Sequence, residues 1–174
     1  MEILKDYSEV KNARNILRKE NLSFIDSKLK YLLRRLKLIN DVSIGELNKS
    51  WDILKFIDFI NKNLNRNDPI LDIGCYGSEI LLSLNKIGFS NLYGIDLNEE
   101  ISKMPHQSEI NYQEQDFMKT SFDDHSFQAI TSVSVIEHGF DSKKMFSEMS
   151  RLLKLNGYLI VSFDFWPKKI DTLN

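Results

Sequence analysis

From residue 67 onward, short apolar runs alternate with segments of helical periodicity, and this alternation constrains the fold most strongly. Such alternation is typical of a parallel sheet whose strands are joined by helices. Short links make right-handed crossovers the default, so the pattern predicts a doubly wound α/β sheet. Helices are predicted over residues 79–87 and from Asp141 to Asn156-Gly157. Strands are predicted over residues 70–73, 91–96, 110–114, 127–135 and 158–163.

The first 66 residues contain one glycine and no proline, which favours helix throughout. One apolar stripe runs at helical spacing from Leu29 to Leu36, and a second runs from Trp51 to Leu64. Ser50 is placed to cap the second helix, and we interpret the stripes as faces packed on a core. We therefore predict a helical N-terminal extension or lid over residues 1–66 and an α/β domain over residues 67–174.

Composition excludes several classes of protein. No run of about 18 apolar residues is present, so we expect no membrane span. Cys75 is the only cysteine, which excludes an intrachain disulfide and a thiolate zinc site, and no other ligand cluster suggests a metal. With no signal-peptide pattern at the N-terminus, these features predict a cytoplasmic protein.

Charge is divided unevenly along the chain. Residues 1–66 carry a net charge of +5, and residues 67–174 carry −7. The basic part could bind an anionic partner, or it could form a solvated helical face that attracts the acidic domain. We favour the second interpretation.

Three polar signals follow three consecutive predicted strands. Gly74 ends the first strand, and a glycine there permits a sharp turn and a close approach by a ligand. Asp96 ends the second strand, where a carboxylate can accept the hydroxyls of a ribose. Asp116-Phe117 follows the third and could meet an adenine at its edge and face. Each signal alone also fits an ordinary turn or core residue, but their order along one sheet edge predicts an adenosine site.

The first turn indicates which kind of adenosine cofactor fits. The stretch Gly74-Cys75-Tyr76-Gly77-Ser78-Glu79 does not match the Gly-x-Gly-x-x-Gly pattern of nicotinamide-binding folds. The chain also lacks a Gly-x-x-x-x-Gly-Lys-Ser/Thr phosphate loop, and the residues after the first turn are not basic. A cofactor without phosphates therefore fits best.

These segments resemble the successive motifs of class I S-adenosylmethionine (SAM)-dependent methyltransferases. The resemblance covers about residues 67–166 and is carried by Ile70 to Glu79, Tyr93 to Leu97, Asp116-Phe117 and Phe127 to His138. Residues 129–138 resemble the fourth-strand motif of the small-molecule branch, the "type 11" methyltransferase domain. The resemblance implies a Rossmann-like sheet, a SAM cofactor that leaves as S-adenosylhomocysteine, and a small-molecule methyl acceptor.

The resemblance also implies where the cofactor binds. Its methionine end would lie at the first turn, its ribose at the second strand end and its adenine beside the residues that follow the second and third strands. Backbone carbonyls at the fourth strand would receive the ammonium group. The residues so implied are, in that order, Asp72, Gly74 and Cys75; Asp96; Leu97, Asp116 and Phe117; and Ser132 and Val133.

The sequence departs from the family in two ways. Tyr76 and Ser78 stand where the family usually has the second and third glycines of its first motif. Tyr76 could crowd the methionine portion or point away from it. The family's last two strands are also missing, so we expect either a fragment or a partner that covers the open edge of the fifth strand. That partner would be a C-terminal segment or a second copy, and Phe165-Trp166-Pro167 would add exposed apolar surface.

The fourth strand is followed by Glu137 and His138, where an acceptor would lie. His138 is a candidate general base, or it is a structural residue that bonds the loop backbone. Two other functions compete with small-molecule methylation. One is a degenerate, non-catalytic binding module, which the two replaced glycines favour. The other is a nucleic-acid methyltransferase, but the Asn/Asp-Pro-Pro-aromatic motif of that class is absent after the fourth strand.

Overall fold

The computed structural model describes residues 1–136 and 141–164, which form five helices and five strands. Two short 3₁₀-helices, Leu47–Lys49 and Glu99–Lys103, are also present. The helices are α1 (Tyr7–Lys19), α2 (Lys28–Arg35), α3 (Ser50–Asn63), α4 (Ile80–Lys86) and α5 (Ser142–Leu152). The strands are β1 (Ile70–Ile73), β2 (Leu92–Asp96), β3 (Ile110–Glu114), β4 (Phe127–Val133) and β5 (Leu153–Ser162).

All strands of the sheet are parallel, and their spatial order is β3-β2-β1-β4-β5. The chain winds outward from β1 through β2 to β3, and then crosses to the other side of β1 for β4 and β5. The winding direction therefore reverses between β1 and β4, and ligands of open α/β sheets bind at such a point. The predicted Rossmann-like, doubly wound parallel sheet is confirmed.

Helices cover both faces of the sheet because β1 is apolar on both sides. Ile70 packs with α3 and α4, whereas Leu71 packs on the opposite face with α5, as the alternation of side chains along a strand requires. From α5, Met145 and Met149 are fully buried in that second cluster. Burying each such side chain contributes about 1.5–3 kcal/mol, so the two clusters hold the helices against the sheet.

The N-terminal extension shares the first of these clusters, because Leu17 of α1 is buried with residues of α3 and α4. A buried ion pair reinforces this contact. The Arg14 guanidinium donates to both carboxylate oxygens of Glu79, the residue before α4, and both side chains are 1% exposed. Ser50 is the first residue of α3 and does not cap it, so that prediction is wrong; its hydroxyl accepts a hydrogen bond from Arg14 Nε at 2.9 Å.

The stripe of α2 does not pack on the core, contrary to our interpretation of the sequence. Leu29, Leu32 and Leu36 are exposed, and α2 has no buried residue. Arg34 on the opposite side anchors the helix through Asp26 and Asp41. Because ion pairs hold the polar side against the protein, the apolar stripe faces away from it. The first 66 residues are also not helical throughout, since segments without regular structure separate the helices.

The boundary between α5 and β5 also differs from the prediction. Helix α5 ends at Leu152 and β5 begins at once, whereas we expected the helix to run to Asn156-Gly157. Asn156 lies in the left-handed region at φ 62°, and the pairing register shifts between Phe127 and Ala129 of β4. The Asn-Gly pair therefore makes an irregularity inside a strand instead of ending a helix.

Within the described residues, β5 pairs with β4 alone and leaves its other edge open. Leu155 and Tyr158 of β5 are exposed. Among the same residues, none of the helices has the length and hydrophobicity needed to cross a bilayer.

Candidate functional site

The turn after β1 depends on glycine. Gly74 has φ 68°, in the left-handed region, and a Cβ at this position would collide with Val135 Cγ2. Gly77 also has a positive φ, and its carbonyl accepts a hydrogen bond from Gly45 N at 2.8 Å. The turn therefore lies between the segment after β4 and the N-terminal segment, at the carboxyl edge of the sheet.

Asp72 on β1 is 1% exposed, and its partner residue across β4 is Thr131. The Thr131 hydroxyl donates to Asp72 Oδ1 at 2.7 Å, while Oδ2 has no well-formed hydrogen bond to any described residue. Burial, and to a smaller extent the charge of Asp96, raise the pKa of Asp72 to about 7. Hydroxyl contacts from Thr131 and Ser78 act in the opposite direction. A buried carboxylate with a free oxygen is suited to a cationic or hydrogen-bond-donating ligand.

Asp96 ends β2, and its carboxylate reaches back to the first turn. Its Oδ2 accepts a hydrogen bond from Tyr76 N at 3.0 Å, and its Oδ1 accepts one from Asn98 N at 2.9 Å. The fold thus brings together the first turn and the second strand end, as the sequence predicts. Each carboxylate oxygen has two lone pairs, so Asp96 keeps capacity for further donors such as ribose hydroxyls.

The residues implied for adenine lie along the next strand ends. Leu97 follows β2 and is 64% exposed. Asp116 follows β3, and its Oδ1 accepts a hydrogen bond from Met118 N at 2.8 Å, as in an ordinary turn. Phe117 is buried in the cluster that α5 covers. These residues stand at the predicted edge, and their contact with an adenine stays a prediction.

The end of β4 completes the edge. Ser132 is fully buried, and its hydroxyl has no hydrogen-bond partner among the described residues. Val133 packs on the cluster that includes α3. The candidate base His138 and its neighbour Glu137 lie outside the described residues, as does the Phe165-Trp166-Pro167 segment.

A family model described as a methyltransferase domain matches residues 71–161 of the chain. The match runs from β1 to β5 and covers more than half of the chain. The chain belongs to the methyltransferase domain family. The resemblance to class I SAM-dependent methyltransferases is confirmed at the level of the family and the fold.

The relatives of this methyltransferase domain act on acceptors of different kinds. A Coxiella burnetii ubiquinone biosynthesis O-methyltransferase is 31% identical over 99 residues, covering 53% of this chain and 42% of that protein. An eEF1A lysine and N-terminal methyltransferase from Danio rerio is 25% identical over 127 residues, covering 65% of this chain and 18% of that protein. The matches therefore span less than half the length of either relative.

A solved structure supports the fold of the methyltransferase domain. The SAM-dependent methyltransferase from Mesorhizobium loti superimposes with a TM-score of 0.51 at 22% identity, covering 61% of this chain and 52% of that chain. At this identity the similarity supports the shared architecture and carries no information about the acceptor.

The two residues that replace the family's glycines, Tyr76 and Ser78, make their own contacts in and around the first turn of the methyltransferase domain. The Tyr76 phenol donates to Glu100 Oε2 at 3.0 Å, and its half-buried ring packs against the first core cluster. Burial, followed by the Glu100 carboxylate, raises the pKa of Tyr76. Ser78 N donates to Cys75 O at 2.9 Å, which closes the turn. Both positions therefore have structural partners in this chain.

Cys75 has a packing role in the turn. It is fully buried, and its Sγ lies 2.7 Å from where a Cβ of Gly94 would stand, so β2 needs a glycine opposite it. Burial, followed by the charges of Asp72 and Asp96, raises the pKa of Cys75 well above its usual range. The thiol is therefore protonated and unreactive.

Sequence reasoning missed the contribution of the N-terminal segment. Lys49 Nζ donates a hydrogen bond to Ser134 Oγ just beyond β4, and Asp52 in the first turn of α3 faces the Ser162 hydroxyl at the end of β5. No local motif signals either contact, because the partners are far apart in the sequence. Glu79 offered a weak signal as an acidic residue before a short helix, but nothing in the sequence indicated its buried partner Arg14.

No metal site accompanies these groups. Within residues 1–136 and 141–164, no three His, Cys, Asp or Glu side chains lie close enough together to hold a metal ion.

Proposed function

We propose that this methyltransferase domain binds SAM along the carboxyl edge of its sheet and transfers the methyl group to a small-molecule acceptor. One observation carries the proposal: the carboxylates of Asp72 and Asp96 converge on a turn in which Gly74 has no room for a side chain. When bound, SAM supplies a methyl group on a cationic sulfur, which is electrophilic without covalent help from the protein.

The residues present fit such a ligand. The free Oδ2 of Asp72 and the unpaired Ser132 hydroxyl are buried polar atoms that a methionine end could satisfy. Asp96 would accept the ribose hydroxyls with its remaining lone pairs. The adenine would lie against Leu97, Asp116 and Phe117. These residues bind and orient, and orientation together with exclusion of water is what transfer to a nucleophile chiefly needs.

A small acceptor is favoured by the way the N-terminal segment crosses the sheet edge. Gly45 hydrogen-bonds to Gly77, and Lys49 reaches Ser134, so residues 45–49 span from the first turn to the end of β4. This arrangement supports the prediction that the N-terminal part is a lid, because it narrows the path by which an acceptor would reach the carboxyl edge of the sheet. Three statements stay predictions: that the acceptor is not a nucleic acid, that the protein is cytoplasmic, and that a partner covers the open β5 edge.

A non-catalytic binding module is the second candidate. Tyr76 and Ser78 favour it, because their side chains stand where the family usually has glycines. Measured methyl transfer from SAM to any acceptor would exclude it.

Isothermal titration with S-adenosylhomocysteine tests the proposed site. We expect micromolar binding by the unmodified chain, and loss of that binding in Asp96→Ala. The matched control is Asp123→Ala, which removes an exposed carboxylate in the turn before β4, at the opposite edge of the sheet. Absence of binding by a folded chain, or equal binding by both variants, would contradict the proposal.

A further inference from the structure

The carboxyl ends of β4 and β5 carry a polar group of residues that we call the acceptor-side cluster: Lys49, Asp52, Ser134 and Ser162. Lys49 and Asp52 come from the N-terminal segment, and the two serines come from the strand ends. Lys49 Nζ donates to Ser134 Oγ, and the Ser162 hydroxyl lies close to the Asp52 carboxylate without a well-formed hydrogen bond to it. Ser134 N also donates to Ser162 O at 3.0 Å, which joins the two strand ends.

This cluster continues the line of the proposed cofactor site. Along the sheet edge, the implied adenine, ribose and methionine positions follow β3, β2 and the β1–β4 switch point in turn. The next strand in that order is β5. The reactive end of the cofactor would thus lie beside β4. Among the described residues, the acceptor-side cluster is the polar group that lies next to that end, on the side of β5.

The groups in the cluster are suited to proton transfer. Asp52 is half-buried, and burial raises its pKa, while the Ser162 hydroxyl and the charge of Lys49 oppose that rise. The negative charge of Asp164 adds to it. A carboxylate with a raised pKa is a stronger base, and a nearby ammonium keeps it ionised.

The backbone of the cluster is strained as well. Ser134 lies in the left-handed region at φ 53°, where residues with a side chain are uncommon. Its amide and hydroxyl are both engaged by the cluster, which over-determines that conformation. Strain held in this way is concentrated at functional sites.

We propose that the acceptor-side cluster binds a hydroxyl or amine acceptor and that Asp52 receives its proton. The inference rests on the proposed function. The O–H bond of a hydroxyl acceptor, or an N–H bond of an amine acceptor in its ammonium form, breaks and a new O–H bond forms on the Asp52 carboxylate. The electron pair stays on the acceptor atom, which is then the nucleophile. Lys49 positions the carboxylate and Ser134, and the proton later passes from Asp52 to water.

The experiment uses the charge difference between two probes, SAM and S-adenosylhomocysteine, because only SAM carries a cationic sulfonium. A carboxylate beside the reactive end favours SAM over S-adenosylhomocysteine. We expect Asp52→Asn to lower the ratio of the two affinities about three- to tenfold, and to leave the Kd for S-adenosylhomocysteine within about twofold. Lys49→Met should raise the ratio, and Asp52→Glu should preserve it.

The matched control is Asp58→Asn, which removes the same charge from the same helix at an exposed position that faces Lys55 and Glu2. An unchanged ratio in Asp52→Asn, equal to that of Asp58→Asn, overturns the inference but leaves the proposed function standing, because S-adenosylhomocysteine still binds. Failure of the unmodified chain to bind S-adenosylhomocysteine overturns both. Circular dichroism melting confirms that each variant is folded before titration.

Discussion

The two halves of the sheet's carboxyl edge are built in different ways. The proposed cofactor half, at the ends of β1, β2 and β3, takes its polar groups from residues at or near the end of a strand, such as Asp72 and Asp96. The proposed acceptor half, at the ends of β4 and β5, takes Lys49 and Asp52 from a segment that precedes the whole sheet. The polar groups of the first half are thus placed by the local sequence at the strand ends. Those of the second half are placed by contacts between distant parts of the chain.

This difference fits the two proposed tasks of the edge, which are to bind the cofactor and to bind the acceptor. A site for a common cofactor can reuse the strand-end positions that any doubly wound sheet provides. A site for a particular acceptor needs groups that vary between proteins, and a segment outside the sheet can supply them without disturbing it. If the two halves are separable, substitutions in one half should leave the properties of the other unchanged.

The largest effect is expected where the N-terminal segment is attached to the cofactor half. Arg14→Met leaves the Glu79 carboxylate buried without its ion pair, and breaking such a pair costs about 3–5 kcal/mol. Urea unfolding should report that loss in the free energy of unfolding. The double variant Arg14→Met/Glu79→Leu should recover more than half of it, because no buried charge remains. A loss below about 1 kcal/mol in the single variant would mean that the N-terminal segment is loosely attached.

The next effect concerns the first turn. Gly74→Ala places a side chain at φ 68° and against Val135, and strain of this kind costs about 1–3 kcal/mol. We expect the affinity for S-adenosylhomocysteine to fall about tenfold or more. Gly88→Ala is the control, because Gly88 also has a positive φ but lies after α4, where a Cβ would meet only the Arg66 side chain at ordinary distance. Equal affinities in the two variants would show that the turn does not contact the cofactor.

The cofactor half could be predicted from sequence for a physical reason. A buried apolar strand is recognisable over four or five residues, and the residue that ends it reaches the ligand edge in any parallel sheet. The strands β1 and β3 accordingly have the predicted bounds. The positions of Gly74 and Asp96 on the edge follow from the ends of β1 and β2, whereas Asp72 is implied by the resemblance to the family.

The acceptor half could not be predicted in this way. Lys49 and Ser134 are 85 residues apart, so no spacing rule connects them. The same holds for Arg14 and Glu79, which are 65 residues apart and attach the N-terminal segment.

Two helices also differ from the sequence-based expectation. The apolar stripe of α2 does not pack on the core because ion pairs, not leucines, anchor that helix. The end of α5 was misjudged because Asn156-Gly157, a common helix terminator, forms a strand irregularity instead.

A pH dependence is expected from the cofactor half. The pKa of Asp72 is about 7 in the free protein, and a cationic ammonium beside it would favour the ionised form. The affinity for S-adenosylhomocysteine should therefore rise about tenfold from pH 6 to pH 8, and titrations of Asp72→Asn should show a flat profile. A rise of the same size in Asp72→Asn would assign the dependence to another group.

The carboxyl of Asp72 also determines whether the free energy of unfolding rises or falls with pH. The pKa of Asp72 is higher in the folded chain than the value of 3.8 expected when unfolded, so the folded state holds more protons between these values. The free energy of unfolding of the ligand-free chain should therefore fall as pH rises from about 4 to about 7. Asp72→Asn removes this contribution, and urea unfolding across that range would detect the difference in slope.

The smallest effect is expected at Tyr76, and it decides between an active cofactor half and a degenerate one. The Tyr76 phenol is bonded to Glu100 on the 3₁₀-helix after β2, so the hydroxyl is already held by the protein. Tyr76→Phe removes a half-exposed hydrogen bond worth about 0.5–1.5 kcal/mol at most, and the affinity for S-adenosylhomocysteine should change less than about twofold.

Tyr76→Gly restores the residue that the family usually has at this position, and the two interpretations predict opposite results. If the ring crowds the cofactor, glycine should raise the affinity for S-adenosylhomocysteine at least about tenfold, which corresponds to about 1.4 kcal/mol. If the ring packs against the core as the structure has it, glycine removes that packing and the affinity should stay level or fall. We expect the second result, because Tyr76 N holds Asp96 through the backbone, and that contact does not depend on the side chain.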